Sequence, residues 1–130
     1  MTIAPRKRIL VVEDDERLAA VLSVQLRFAG YDVHPEGTGK RALSDAAERR
    51  PDLVLLDLRL PDMGGYEVCK ELRKLYTRWD VPILMLTGMD RPVDQLRVFA
   101  HGADAYMTKP YEATELIKTI TLLLGEAALT

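Results

Sequence analysis

The sequence holds a single cysteine, Cys69, so no disulfide can form within one copy. A lone thiol suits a reducing compartment, and the expected location is the cytoplasm. Long apolar runs are missing too. No stretch approaches the roughly 20 residues of a spanning helix, and the N-terminus lacks the oily core of a secretory signal, so no membrane partner is expected. Excess positive charge is likewise absent: 18 Lys and Arg stand against 20 Asp and Glu, a formal net charge of -2. Without a basic stripe to neutralise phosphate backbones, direct nucleic-acid binding is not expected. The one short basic cluster, Arg6 to Arg8, reads as a solvated lead-in to the first strand. His34 and His101 have no metal-ligand spacing and are read as structural.

No Ser/Gly tract or long charge run marks a linker. With 48% apolar residues over 130 positions, the expected organisation is one domain, 1–130, with a core from about 8 to 124. "RILVVE" has the composition of a strand buried on both faces. Asp15 to Ala29 then sets Leu18, Leu22 and Leu26 at helical spacing until Gly30 ends the run. "YDVHPE" is a short strand weakened by Pro35, and "GKRALSDAAERR" is a helix with a small-residue face before Pro51. "DLVLLDL" precedes a helix from about Gly65 to Tyr76, with Val68, Leu72 and Leu75 as its inner stripe and Cys69 as a packed thiol. "PILMLT" leads into a helix carrying Val93, Leu96, Phe99 and Ala100 and ending near Gly102. "DAYMT" is a fifth strand, and the last helix, Ala113 to Leu124, sets Leu116, Ile120 and Leu123 on one side. Five strand-helix repeats predict a doubly wound α/β fold: a five-stranded parallel sheet with helices on both faces, because a parallel return needs a crossover and crossovers are right-handed.

In open α/β sheets, ligands sit beyond the carboxyl ends of the strands. Strand one ends in Glu13, Asp14 and Asp15, strand three in Asp57, strand four in Thr87, and strand five in Lys109 followed by Pro110. Four carboxylates, a hydroxyl and an ammonium therefore converge on one rim. Clustered carboxylates stay ionised when a cation neutralises them, and hard oxygen ligands with room for water suit Mg²⁺, or Mn²⁺ in its place. A carboxylate in that seat is also a nucleophile toward phosphorus. Phosphoryl transfer asks mainly for positioning and charge neutralisation, which Lys109 and a metal supply while the Thr87 hydroxyl donates a hydrogen bond.

The strings "ILVVEDD", "PDLVLLDLRLPDMGGYEV", "PILMLTG" and "GADAYMTKPY", in that order, resemble the signature of bacterial response-regulator receiver domains across about Arg8 to Leu124. The resemblance implies a flavodoxin-like fold with strand order 2-1-3-4-5 and acceptance of a phosphoryl group from a histidine kinase or histidine phosphotransfer protein. It implies Asp57 as phosphoacceptor, Asp14 as a direct Mg²⁺ ligand, Glu13 acting mainly through metal-bound water, and the Arg59 backbone carbonyl as a further ligand. Thr87 and Lys109 would contact the phosphoryl group, Tyr106 would be the aromatic switch, and the Lys109–Pro110 bond would be cis. Asp15 stands apart, as an N-cap of the first helix. The output would be a changed face of helix four, strand five and helix five, read by a downstream protein target, with the chain a monomer or a phosphorylation-dependent dimer. No enzyme turnover on other substrates is expected, only the chain's own phosphorylation and dephosphorylation.

Some positions depart from the family's habits. Gly88 follows the threonine and is expected to keep phosphoryl access open. Ala105 replaces a frequent acid, and "ELIKTITLLL" lacks arginines for a charged dimer face. Arg59 and Met89 border the site, and Trp79 is expected at the sheet edge opposite it. Two other functions use similar parts. A haloacid-dehalogenase-like phosphatase needs a second acid two positions after its nucleophile, where Arg59 stands. A flavodoxin-like module binding flavin mononucleotide needs a hydroxyl- and glycine-rich phosphate loop after strand one, where this chain is acidic.

Overall fold

A computed structural model describes residues 5–88 and 92–126, with the side chains of 92–94 excluded. Five strands form one parallel sheet: β1 (Arg8–Val12), β2 (Asp32–Glu36), β3 (Leu53–Asp57), β4 (Ile83–Thr87) and β5 (Ala105–Thr108). They alternate with α1 (Glu16–Phe28), α2 (Gly39–Glu48), α3 (Gly65–Leu75), α4 (Pro92–Ala100) and α5 (Ala113–Leu123). The strand order is β2-β1-β3-β4-β5, so the order reverses between β1 and β3. The expected flavodoxin-like topology is the one observed.

Alternation along the three central strands makes two cores. Leu10, Val12, Val54, Leu56, Ile83 and Met85 face the side covered by α2, α3 and α4, where Ala42, Ala46, Val68, Leu72 and Val98 meet them. Ile9, Val11, Leu53, Leu55, Leu84 and Leu86 face the other side and pack on Leu22 and Leu26 of α1 and Leu116 and Ile120 of α5. Each such leucine or isoleucine removed from water contributes about 1.5–3 kcal/mol. Pro35 is tolerated because β2 is an edge strand, paired only with β1. Gly30, at φ +101°, ends α1 in the left-handed region that glycine enters without a Cβ penalty.

Three expectations fail, each for a packing reason. Leu75 is 47% exposed, in the last turn of α3, and the buried neighbour of Val68 and Leu72 is Cys69. On α4, Leu96 is 70% exposed, Phe99 is 43% exposed and Ala100 is exposed, whereas Val98 is buried. That helix therefore turns a largely apolar face outward. Arg8 is not solvated: its buried guanidinium donates to Asp45 Oδ2 at 2.6 Å and to the Arg49 carbonyl at 3.1 Å, tying β1 to the end of α2. Met89, and the side chain of Val93, lie outside the described residues. Trp79 is exposed in the connection from α3 into the amino end of β4, away from the carboxyl rim. Among the described residues, no helix is long and apolar enough to cross a membrane.

Candidate functional site

The carboxyl ends of β1, β3, β4 and β5 deliver one residue cluster. The Glu13 N–H donates to the Glu36 carbonyl at 3.0 Å, which extends the ladder one residue past β1 and leaves Glu13 buried. Asp14 follows, exposed at the rim. Asp15 caps α1, its Oδ1 accepting from the N–H groups of Arg17 at 3.0 Å and Leu18 at 3.2 Å, as expected. Asp57 and Thr87, the last residues of β3 and β4, are both buried. The Lys109 N–H donates to the Thr87 carbonyl at 2.7 Å, so the chain leaves β5 still tethered to β4. The Lys109–Pro110 bond is cis, as the resemblance implied.

One carboxylate oxygen each from Glu13, Asp14 and Asp57 lies within 4.8 Å of the other two. The Lys109 ammonium donates to Glu13 Oε1 at 3.0 Å and stands 3.4 Å from Asp57 Oδ1. Burial pushes Glu13 up to about 7, the charge on Asp57 adds to the rise, and Lys109 and the Asp15 N–H oppose it. Burial works against the charge of Lys109, yet the bond to Glu13 and the charge of Asp57 more than offset it, raising the ammonium above the ordinary lysine value. Three carboxylates crowded together, with buried Glu13 resisting ionisation, make an environment that a divalent cation relieves, and this all-oxygen donor set fits a hard one.

Beside the acids lies a cavity of about 250 Å³ lined by Asp57, Arg59, Thr87, Gly88 and Lys109. The expected members of the site therefore meet. A Cβ built on Gly88 would touch nothing within 4 Å, so this room does not depend on the absence of a side chain at position 88. The backbone of Arg59 pairs with Gly64 in an isolated bridge, and its side chain is exposed. Asp62, in the same turn, accepts from the N–H groups of Gly39 at 2.8 Å and Lys40 at 2.9 Å. Those two donors, Lys40 foremost, hold its carboxyl below the ordinary aspartate range and pin the β3–α3 loop to the start of α2. Tyr106 sits mid-strand and partly buried, its ring edge-on to Phe99 with centroids 5.7 Å apart.

Two supports escaped the sequence reading. Arg73 Nη2 donates to Asp104 Oδ2 at 2.7 Å, its Nε to the Gly102 carbonyl at 2.9 Å and its Nη1 to the Val81 carbonyl at 2.7 Å. Asp104 Oδ2 also accepts from the Ile83 N–H at 2.8 Å. This clasp joins α3, the start of β4 and the turn before β5. The second is Asp62, whose partners lie 22 and 23 residues away in sequence. Nothing in the sequence marks either long-range pairing.

A family model described as the response regulator receiver domain matches residues 9–121. The DNA-binding response regulator MtrA of Mycolicibacterium smegmatis is 46% identical over 115 residues, 88% of this chain and 49% of that protein. The DNA-binding dual master transcriptional regulator RpaA of Synechocystis is 38% identical over 117 residues, 90% of this chain and 48% of that protein. The chain thus spans about half the length of the curated relatives it matches. Among solved structures, a CheY-like response regulator receiver domain protein from Methanospirillum hungatei superposes with a TM-score of 0.86 at 32% identity, covering 93% of this chain and 95% of that one.

Proposed function

The chain belongs to the response-regulator receiver family, the signalling switches of two-component systems, and we propose that it works by taking a phosphoryl group from a phosphohistidine onto Asp57. The observation that carries this reading is the convergence of the Glu13, Asp14 and Asp57 carboxylates, with Lys109 in ionic contact with Glu13 and Asp57, beside an open cavity.

Receiver domains generally bind Mg²⁺, and here Glu13, Asp14, Asp57 and the Arg59 carbonyl would hold it. Bound there, the cation offsets the charge that builds on the phosphoryl oxygens. Asp57 supplies the nucleophile: a carboxylate oxygen bonds to phosphorus as the P–N bond of the phosphohistidine breaks and the imidazole leaves with the electron pair. Lys109, held by Glu13 on one side and Asp57 on the other, keeps its positive charge against the transferred group. Thr87 lines the same cavity and donates its hydroxyl hydrogen to a phosphoryl oxygen. The acyl phosphate brings roughly two negative charges onto Asp57. Drawing Thr87 toward it shifts the end of β4 and changes the packing of Tyr106 against Phe99, altering the face made by α4, β5 and α5.

A histidine kinase or phosphotransfer protein is the donor and a downstream protein the reader. With no basic stripe, the receiver itself makes no nucleic-acid contact. Arg59 stands where a haloacid-dehalogenase-like phosphatase needs its second acid, and the acidic loop after β1 would repel a flavin phosphate, which leaves both alternatives unsupported. The reading is tested by transfer from a phosphorylated histidine kinase to the wild type and to Asp57→Asn. Transfer to the wild type alone supports it, and equal transfer to both refutes it.

A further inference from the structure

The α1 helix buries Leu22 and Leu26 against the sheet and points a second apolar stripe at solvent. Val21, Val24 and Phe28 are exposed in that stripe, with Phe28 at 95%, and Arg17 continues it one turn toward the N-terminus. The spacing Arg17, Val21, Val24, Phe28 is four, three, four, the a/d repeat of a helix that packs along another helix. Beside it, between α1 and α5, runs a groove of about 700 Å³ walled by Val24, Phe28, Ala113, Ile117 and Thr121, with Lys118 the single charged side chain along it among the described residues.

That spacing reads the same in both directions, and its chemistry is complementary end to end. We propose that this face binds a second copy of the chain, with the two α1 helices antiparallel about a two-fold axis between Val21 and Val24. Each Val21 meets the partner's Val24, and each Arg17 lies over the partner's Phe28 as a cation on an aromatic face. The two Arg17 charges stay about 16 Å apart, eleven residues at helical rise, and so beyond the screening length at ordinary salt. The same arrangement sets Glu16, in the acidic first turn, beside Arg27 in the partner's basic last turn, and opposes the two helix dipoles. Knob and groove share one face, so each α1 ridge enters the other copy's groove, as an isologous contact requires. The stripe involves neither α4 nor β5, so this association does not await phosphorylation.

Sedimentation analysis of the full chain from micromolar to millimolar concentration tests the proposal, with circular dichroism confirming that each variant is folded. The wild type is expected to dimerise. Phe28→Lys, which sets two cations together at each end, should weaken the dimer on the order of tenfold or more. Combining Arg17→Glu with Phe28→Lys should restore association by placing opposite charges in the same register. Leu96→Glu, on exposed α4, should leave it unchanged. A wild type monomeric throughout, a Phe28→Lys variant that associates like the wild type, a double variant as weak as the single one, or loss of the dimer in Leu96→Glu would overturn it.

Discussion

Gly65 lies directly against the main chain of Asp57: a Cβ at position 65 would stand 2.6 Å from the Asp57 carbonyl oxygen and 2.6 Å from Leu58 Cα. Its N–H donates to the Leu58 carbonyl at 2.8 Å. The first residue of α3 is thus the floor on which the end of β3 rests. Gly65→Ala should destabilise the fold by about 1–3 kcal/mol, the usual cost of overpacking. It should also weaken divalent-cation binding by displacing Asp57. Urea denaturation and a Mg²⁺ titration measure the two effects, and a variant equal to the wild type in both would show that the backbones separate freely.

The Arg73 clasp should matter to stability more than to chemistry. Arg73→Ala leaves Asp104 with fewer donors and frees the carbonyls of Gly102 and Val81, so a loss of about 2 kcal/mol is expected in chemical denaturation. Phosphoryl incorporation into the folded variant should stay near the wild-type rate, because the clasp lies at the amino end of β4. A large loss of incorporation with unchanged stability would contradict this placement.

How much was legible in the sequence follows from what each residue answers to. Buried runs such as Leu53 to Leu56 announce their strands because both faces must be apolar, and the residue ending each run is fixed on the rim by strand geometry. Asp57, Thr87 and Lys109 could be read for that reason. On α3 the inner positions Val68 and Leu72 could be read as well, but the exposure of Leu75 could not, nor could the inner face of α4. Leu75 and Leu96 sit at spacings as good as those of their buried neighbours, yet both are exposed, because spacing fixes the face of a helix and only the assembled packing fixes which of its residues are covered. Arg8 with Asp45 and Arg73 with Asp104 are pairs 37 and 31 residues apart, and only the assembled fold selects them.

Cys69 should be chemically silent in the native protein. It is fully buried, and burial pushes its thiol up to about 11, so near pH 8 only about one thiol in a thousand is ionised, and alkylation needs the thiolate. Maleimide labelling followed by mass spectrometry should give no adduct until denaturant is added. Rapid stoichiometric labelling of the folded protein would mean that α3 does not pack as described.

On the proposed mechanism, Lys109 would compete with a divalent cation for Glu13 and Asp57, with which it is paired, yet would assist the transferred group. Lys109→Ala should therefore bind Mg²⁺ at least as tightly as the wild type while taking up phosphoryl groups about 10²-fold more slowly. Calorimetry and timed phosphorylation separate the two. Loss of cation binding together with incorporation would instead make Lys109 a structural prop for the acids.

The most direct measurement is to incubate the chain with a small acyl phosphate and Mg²⁺ and locate the acid-labile modification by mass spectrometry. One phosphoryl group is expected, on Asp57, absent from Asp57→Asn and abolished by chelation of the cation. Modification at another residue, or undiminished labelling of Asp57→Asn or of the chelated protein, would contradict the account.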